Sequence, residues 1–480
     1  MHQNKKKRHG LLVNIILVAV VAILINLKIT VWRGNTTPYS STFEKDPAGL
    51  YTHELPTDSA LWEHLKYMNS LGHRFTGSHA QKQFIRYIDT ELTNDGIQTF
   101  KDTYRFDRWE AKTWGLSTRI DGEDQPISTT FYYPYSGETS QEGITAELVY
   151  IGNNNSLLKK AQGKIALFEV EQVNFPYTML FRKRSRLPEE TNFPFMMNNS
   201  VVSSILSNPD LELAVEQGVK GIVCVWKGIS KENARAQYLP FTTPYAGIPV
   251  LWVSEDELPL LKEIANNRQE VTLKLEGEKV DNMTSSTLYA VVPGKNEQET
   301  IIINTHTDGP NAVEENGAIA LIELAKYYHA LPIEKRNRTL VFVFATGHFQ
   351  LPQFGVDERQ ATSGWLADHP ELWDGIDGNK KAVAGVSIEH LGAMEWEDTD
   401  NGYEPTGNID RELVYTSNKT LDAIYMKALE DRTLVRTITL RPHNGFYFGE
   451  GEPLFSVGIP TISLVATPSY LCKISPNGGI

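Results

Sequence analysis

The 480-residue sequence has only two cysteines, Cys224 and Cys472. That excludes a disulfide framework and a thiolate-built metal site, both of which need more sulfur. The pair reads as two buried thiols rather than a bridge. Positive charge is also short: 46 Lys and Arg stand against 59 Asp and Glu, a net charge of −13. Phosphate backbones are held by clustered Lys and Arg, so nucleic acid is excluded as a main partner. The chain lacks a nucleophile elbow, a phosphate loop and a dinucleotide fingerprint, which removes serine-hydrolase, nucleoside-triphosphatase and nicotinamide readings.

Long apolar runs are equally scarce. The one that exists, Leu11–Trp32, follows Lys5, Lys6, Lys7 and Arg8 and is broken by Asn14, Asn26 and Lys28. About 20 such residues span a bilayer. A cleaved signal peptide also begins with basic residues, but this run is long and no small-x-small cleavage site follows it. The reading is an uncleaved anchor: residues 1–10 a cytoplasmic basic tail, 11–32 the transmembrane helix, 33–54 a polar stalk, and the bulk of the chain extracytoplasmic.

The remainder is long enough for more than one core. Apolar positions from Leu61 to Leu92 recur at helical spacing, broken by "RFTGS" and ended by Gly96, and predict helix, loop, helix. From about 140 to 280, short apolar strands bounded by Gly or Pro ("AELVYIG", "GKIALFEVE", "GIVCVW", "GIPVLWVS") predict a small β-rich module. Phe175–Ser200 shows no period and reads as a loop. After Asn282, strands and helices alternate, predicting an α/β fold with a mostly parallel mixed sheet and helices on both faces.

In such sheets functional groups gather at the carboxyl ends of strands. There, His306 and Asp308 end "IIINTHTD", and Glu314 and Glu315 follow in the loop. His348 ends "VFVFATGH", Glu389 and His390 end "GVSIEH", and His443, Glu450 and Glu452 precede "GIPTISL". Strand ends often carry polar residues for solubility alone. A set of imidazoles and carboxylates at four successive ends points instead to a divalent metal such as zinc. Asp308, two residues from His306, is placed to fix that ring.

These segments resemble the co-catalytic zinc aminopeptidase and glutamate-carboxypeptidase-like family, over roughly residues 55–470. "RFTGSHAQKQFIRYIDTELTNDGI" is similar to its opening R-x-x-G-S loop and helix. "HTD" is similar to its H-x-D, "ENGAIALIELAKYY" to its S-G helix, and "GIPTISL" to its last core strand. The resemblance implies a peptidase-like domain over 55–135 and 282–480, interrupted at 136–281 by an insertion similar to the protease-associated domain. It implies metal ligands at His306, Glu314 and Glu389. Of the family's paired glutamates, one position holds His348, which becomes the expected general base, with Asp308 beside it as the other catalytic residue. The second holds Phe349, which cannot bind a metal. Glu450 or Glu452 stands nearest the last family histidine, and Glu452 is the expected ligand. One zinc ion is implied, with a second left open. Arg441, His443 and Tyr447 are candidate substrate-binding residues.

Two functions fit these residues. One is a membrane-anchored exopeptidase, of aminopeptidase or carboxypeptidase type, acting on a peptide or small amide. The other is a family member that has lost catalysis and serves as a binding or scaffold ectodomain. Most replacements at the site stay metal-competent, which favours the enzyme. A homodimer is left open.

Overall fold

Ser78 starts the helix that the "RFTGS" loop leads into. Its side chain accepts from the Gln81 amide at 3.1 Å, satisfying an end N–H that the helix cannot. Phe84, Ile85, Ile88 and Leu92 then fall on one buried face of α2 (His79–Asn94). The Ile97 amide returns to the Leu92 carbonyl across Gly96, which is left-handed at φ +78°, a glycine-closed helix end. α1 (Asp58–Ser70) precedes it. The computed structural model describes residues 56–192, 195–349, 361–430, 432, 434–442 and 447–474. The expected tail, anchor and stalk, and His443, lie outside these residues. Among the described residues no helix is long and apolar enough to cross a membrane.

Two long strands organise the sheet. β1 (Thr99–Ile120) pairs antiparallel with Glu270–Val292 along almost its whole length, from Thr99 opposite Ala290 to Thr118 opposite Val271. Between them in sequence lie β2 (Ile144–Gly152), β3 (Ile165–Glu171), β4 (Arg182–Leu187), β5 (Gly221–Lys227) and β6 (Val250–Ser254). β2, β3, β5 and β6 form parallel neighbours in that order. They pack around Leu148, Leu167, Val223, Trp226 and Leu251, which are fully buried.

Glu270–Val292, now β7, carries the sheet across into the second half. β8 (Asn296–His306), β9 (Arg338–Ala345), β10 (Lys381–Glu389), β11 (Glu412–Thr416), β12 (Thr437–Arg441) and β13 (Thr461–Ala466) complete it. The order is β7-β9-β8-β10-β13-β11-β12-β4, and β8 lies parallel to both β9 and β10. Alternate residues feed opposite faces, as a pleated strand requires. Ile303, Phe342 and Phe344 pack under α1, α2 and α3 (Gly317–Ala330), while Ile302, Val341 and Val343 pack with Trp365 and Leu454. The mixed α/β sheet, apolar on both faces, is therefore the observed architecture.

Two findings differ from the sequence reading. Residue 281 falls inside β7, so the sheet runs unbroken through that point. The segment Phe175–Ser200, read as a loop, contains β4, which lies apart from β2, β3, β5 and β6 and pairs with β12 at the far edge of the sheet. Its register rests on backbone pairing that no apolar alternation announces: β4 reads RKRSRL.

The start of α3 shows how tightly the site is framed. A Cβ on Gly317 would lie 1.9 Å from the Ile388 carbonyl oxygen and 2.6 Å from Thr305 Oγ1, so only glycine lets the helix close on β8 and β10. Gly317→Ala is expected to cost about 2–3 kcal/mol through overpacking. Denaturant unfolding checks this, and an unchanged midpoint would contradict the packing described.

Candidate metal centre

The candidate donors come from two neighbouring strand ends and one loop. His306 is the last residue of β8, Glu389 the last of β10, and His390 follows it. Glu314 sits in the loop before α3, and all four are buried. His306 Nδ1 donates to the Asp308 carbonyl at 2.9 Å and His390 Nδ1 to the Ala466 carbonyl at 2.9 Å. Both rings are thereby turned with Nε2 inward. His390 has φ +55°, a left-handed backbone uncommon for a side-chain-bearing residue. That turn brings its ring to the same side as the neighbouring Glu389 carboxylate.

The inward atoms converge. Glu314 Oε2 is 3.4 Å from His390 Nε2, and Glu389 Oε2 is 3.7 Å from His306 Nε2 and 3.8 Å from His390 Nε2. Ligand atoms ~2.0–2.1 Å from a tetrahedral zinc stand about 3.3 Å apart, so only small movements separate this arrangement from a coordination shell. Among the described residues none of these four atoms has a hydrogen-bond partner. An unsatisfied buried polar atom costs about 1–3 kcal/mol. His306, Glu314 and His390 form the tightest set. Imidazole and carboxylate donors without sulfur suit zinc or a related divalent ion, so the residues fit the metal.

Charge agrees with geometry. Burial, aided by the neighbouring His348 and His390 rings, pushes His306 well below the usual imidazole range and keeps it a neutral donor. Burial also works against charge on His390, yet the Glu314 and Glu389 carboxylates prevail and raise it. Carboxylates that favour a proton on His390 favour a cation among the same atoms. Burial raises Glu389 itself.

Beside this set lies a second couple. His348 stacks on His306, centroids 4.1 Å apart and planes 11° from parallel. Its Nδ1 meets Glu450 Oε1 at 2.6 Å, and its Nε2 lies 4.0 Å from Glu314 Oε1. Glu450 is saturated: it also accepts from the Ala361 and Thr362 amides and the Thr362 hydroxyl. Burial would raise Glu450, but the His348 ring and those donors hold it low. Burial would likewise lower His348, but the Glu450 bond and charge lift it to about 9. The two shifts favour imidazolium beside carboxylate.

Several expected residues therefore change role or place. His348, expected as a base, is pushed toward its protonated form by Glu450. Asp308 orients His306 through its carbonyl; its carboxylate instead accepts from Thr76 and the Phe349 amide, and burial raises it. Glu452 begins a short helix (Glu452–Ser456) and accepts from Ser456 on the exposed side; the inward glutamate is Glu450. Tyr447 is a core residue, 5% exposed, packed on Tyr415 and bonded to Thr461. Arg441 lies on β12 opposite Arg182 of β4, outside the residues lining the cleft. The sequence pattern marks both His390 and Glu450 but favours their neighbours as donors. In an extended strand adjacent side chains face opposite ways, and no sequence signal marks a left-handed histidine.

A cleft of about 510 Å³ opens over the centre, with Glu314, His348, Glu389 and His390 in its lining. Gln237, Leu239 and Phe241 come to it from the stretch between β5 and β6, and Tyr177 and Phe181 from the segment around β4.

The fold and the site together define a class: an α/β sheet of zinc-aminopeptidase type with histidines and carboxylates at its strand ends. The chain is similar to an aminopeptidase from Aneurinibacillus sp. strain AM-1, with 16% identity, a TM-score of 0.57, and coverage of 86% of this chain and 87% of that one. It is similar to a zinc aminopeptidase from Bacillus subtilis at 17% identity and TM-score 0.56, with 88% of each chain covered. A Peptidase M28 precursor from Shewanella amazonensis gives 17%, 0.58 and 88% of each chain. At these identities the likeness is one of fold. No protein-family model and no curated protein sequence matches the chain.

Zinc content by elemental mass spectrometry checks the donor set. About one ion per chain is expected, lost in His306→Ala and His390→Ala and retained in Glu452→Ala. Retention in both histidine variants would contradict the assignment.

Proposed function

We propose that this chain is a zinc-dependent peptidase, an exopeptidase of aminopeptidase type, that uses the centre at His306, Glu314, His390 and Glu389. The observation that carries the reading is the convergence of four buried donor atoms that have no hydrogen-bond partner among the described residues. The fold shared with zinc aminopeptidases supports it. His306, Glu314 and His390 would hold the ion, and Glu389 would complete the donor set. When bound, such an ion supplies Lewis acidity toward a scissile carbonyl.

The chain's own residues do the rest. Ser387 and the Glu450 amide both donate to Glu389 Oε1, at 2.9 and 2.6 Å, which leaves Oε2 turned inward. Glu450 fixes the His348 ring and keeps a proton on Nε2, the atom facing Glu314 across the cleft floor. An imidazolium there stabilises negative charge developing on the substrate and can give its proton to the amine that departs as water adds to the carbonyl carbon, the proton released by that water restoring the imidazolium. Phe241 lies 5.5 Å from the His348 ring, near parallel to it, and shields that proton from bulk water. The acidic role replaces the basic one expected from sequence. We further propose that the Leu11–Trp32 run anchors the chain in a membrane with its basic tail cytoplasmic, resting on the sequence alone.

Turnover of amino-terminal peptide libraries by the zinc-loaded full-length chain tests the reading. No turnover from a chain that binds zinc would favour the scaffold alternative. The pH profile tests the couple. Glu450 raises His348, so Glu450→Gln lowers it, and the alkaline limb of kcat/KM is expected to move to lower pH. His348→Ala is expected to reduce kcat about 10²–10⁴-fold with zinc content unchanged. An unmoved alkaline limb in Glu450→Gln would contradict the role given to His348.

A further inference from the structure

Glu314 differs from the other donors in what carries it. His306 and Glu389 end strands, and His390 follows directly on one, whereas Glu314 sits in the 309–316 segment, which has no strand or helix of its own. A carboxylate on an unsupported loop would not hold a 3.4 Å approach to His390. Two asparagines, neither of them a candidate donor, bracket it.

Asn311 is buried and spends its whole amide on backbone. Its Oδ1 accepts from the Val313 amide at 2.9 Å and the Glu314 amide at 3.2 Å. Its Nδ2 donates to the Leu471, Lys473 and Tyr470 carbonyls at 2.6, 3.0 and 3.3 Å. Two N–H groups on one side and three carbonyls on the other leave one amide orientation. The Asn311 carbonyl accepts from buried Arg74 at 2.9 Å, and Arg74 pairs with Glu315 and bridges Gly309. The 470–473 segment is in turn tied to the inserted module, the Tyr238 amide donating to the Cys472 carbonyl at 2.8 Å.

Asn316 works on the other flank. It stands at the cap position of α3, yet its side chain makes no cap bond. Instead its Nδ2 donates to the Leu391 carbonyl at 2.6 Å and its Oδ1 accepts from the Leu391 amide at 2.7 Å. Leu391 directly follows His390. Asn316 therefore joins the residue two beyond Glu314 to the residue one beyond His390, with both bonds of a peptide pair.

We infer that Asn311 and Asn316 are positioning residues that set the Glu314 carboxylate against His390 and so fix the affinity of the centre for its ion. This rests on the zinc-peptidase reading of the same centre. Partners behind the ligands commonly govern metal affinity about 10–100-fold. Here they act through the loop backbone, and Asn311 also links the centre to the segment that meets the inserted module.

The test is zinc affinity of the full-length chain, by competition with a chromophoric chelator, beside the unfolding midpoint of the zinc-free protein. Asn311→Ala and Asn316→Ala are expected to weaken zinc binding about 10–100-fold with every donor present. Asp210→Ala, which removes the side-chain cap of the Leu211–Glu216 helix, lowers stability elsewhere and is expected to leave zinc affinity unchanged. Should Asn311→Ala not fold, Asn316→Ala decides. Unchanged zinc affinity in the asparagine variants, whatever their stability, would overturn the inference, as would an equal loss in Asp210→Ala. A wild-type chain that takes up no zinc would overturn the metal reading itself, and this inference with it.

Discussion

Four inward donor atoms without a hydrogen-bond partner among the described residues set the terms for the rest of this structure. The charges of His390 and His348 offset only part of the desolvation of the Glu389 carboxylate, so the fold around these atoms must hold them together. It does so with rigid carriers. β8 and β10 are parallel neighbours in the centre of the sheet, apolar on both faces, and their ends cannot shift without disturbing both packed layers. A glycine lets α3 close on β8 and β10, and backbone carbonyls fix the two donor rings. A cation is the partner that converts this cost into affinity, since metal binding to a preformed site is coupled to the stability of the fold.

The His348–Glu450 couple answers the same electrostatic problem in another way. It places a fixed positive charge, stacked on a neutral donor ring, beside carboxylates that need one. Glu450 is held by four donors around its side chain, and its amide in turn holds Glu389. The couple and the donor set are thus one network, and buried networks of this kind are informative because every member must be satisfied or explained. The segment between β1 and β7 takes part as well. It shares an unbroken sheet with the second half through β7, gives β4 to the far edge, and brings Phe241 against His348.

Much of this was legible in the residues. The Ile301–Ile303 run and the run from Leu340 to Phe344 announce buried central strands, and a histidine or carboxylate at each strand end announces the chemistry. Helical spacing from Phe84 to Leu92, closed by Gly96, locates α2. The illegible part turns on single backbone angles and on pairings distant in sequence. Glu389 and His390 are neighbours, and only a left-handed turn at His390 brings both inward. Glu450 and Glu452 are two residues apart, and the start of a short helix decides which faces the centre. Tyr447 has the chemistry of a binding residue, but Thr461 and Tyr415 claim it for the core. β4 carries charge rather than alternation, so pairing with β12 alone identifies it.

Zinc-edge X-ray absorption of the zinc-loaded full-length chain tests the central claim most directly. The donor set predicts a first shell of nitrogen and oxygen at ~2.0–2.1 Å with outer-shell scattering from two imidazoles. A sulfur shell at ~2.3 Å, or a shell with no imidazole scattering, would contradict it.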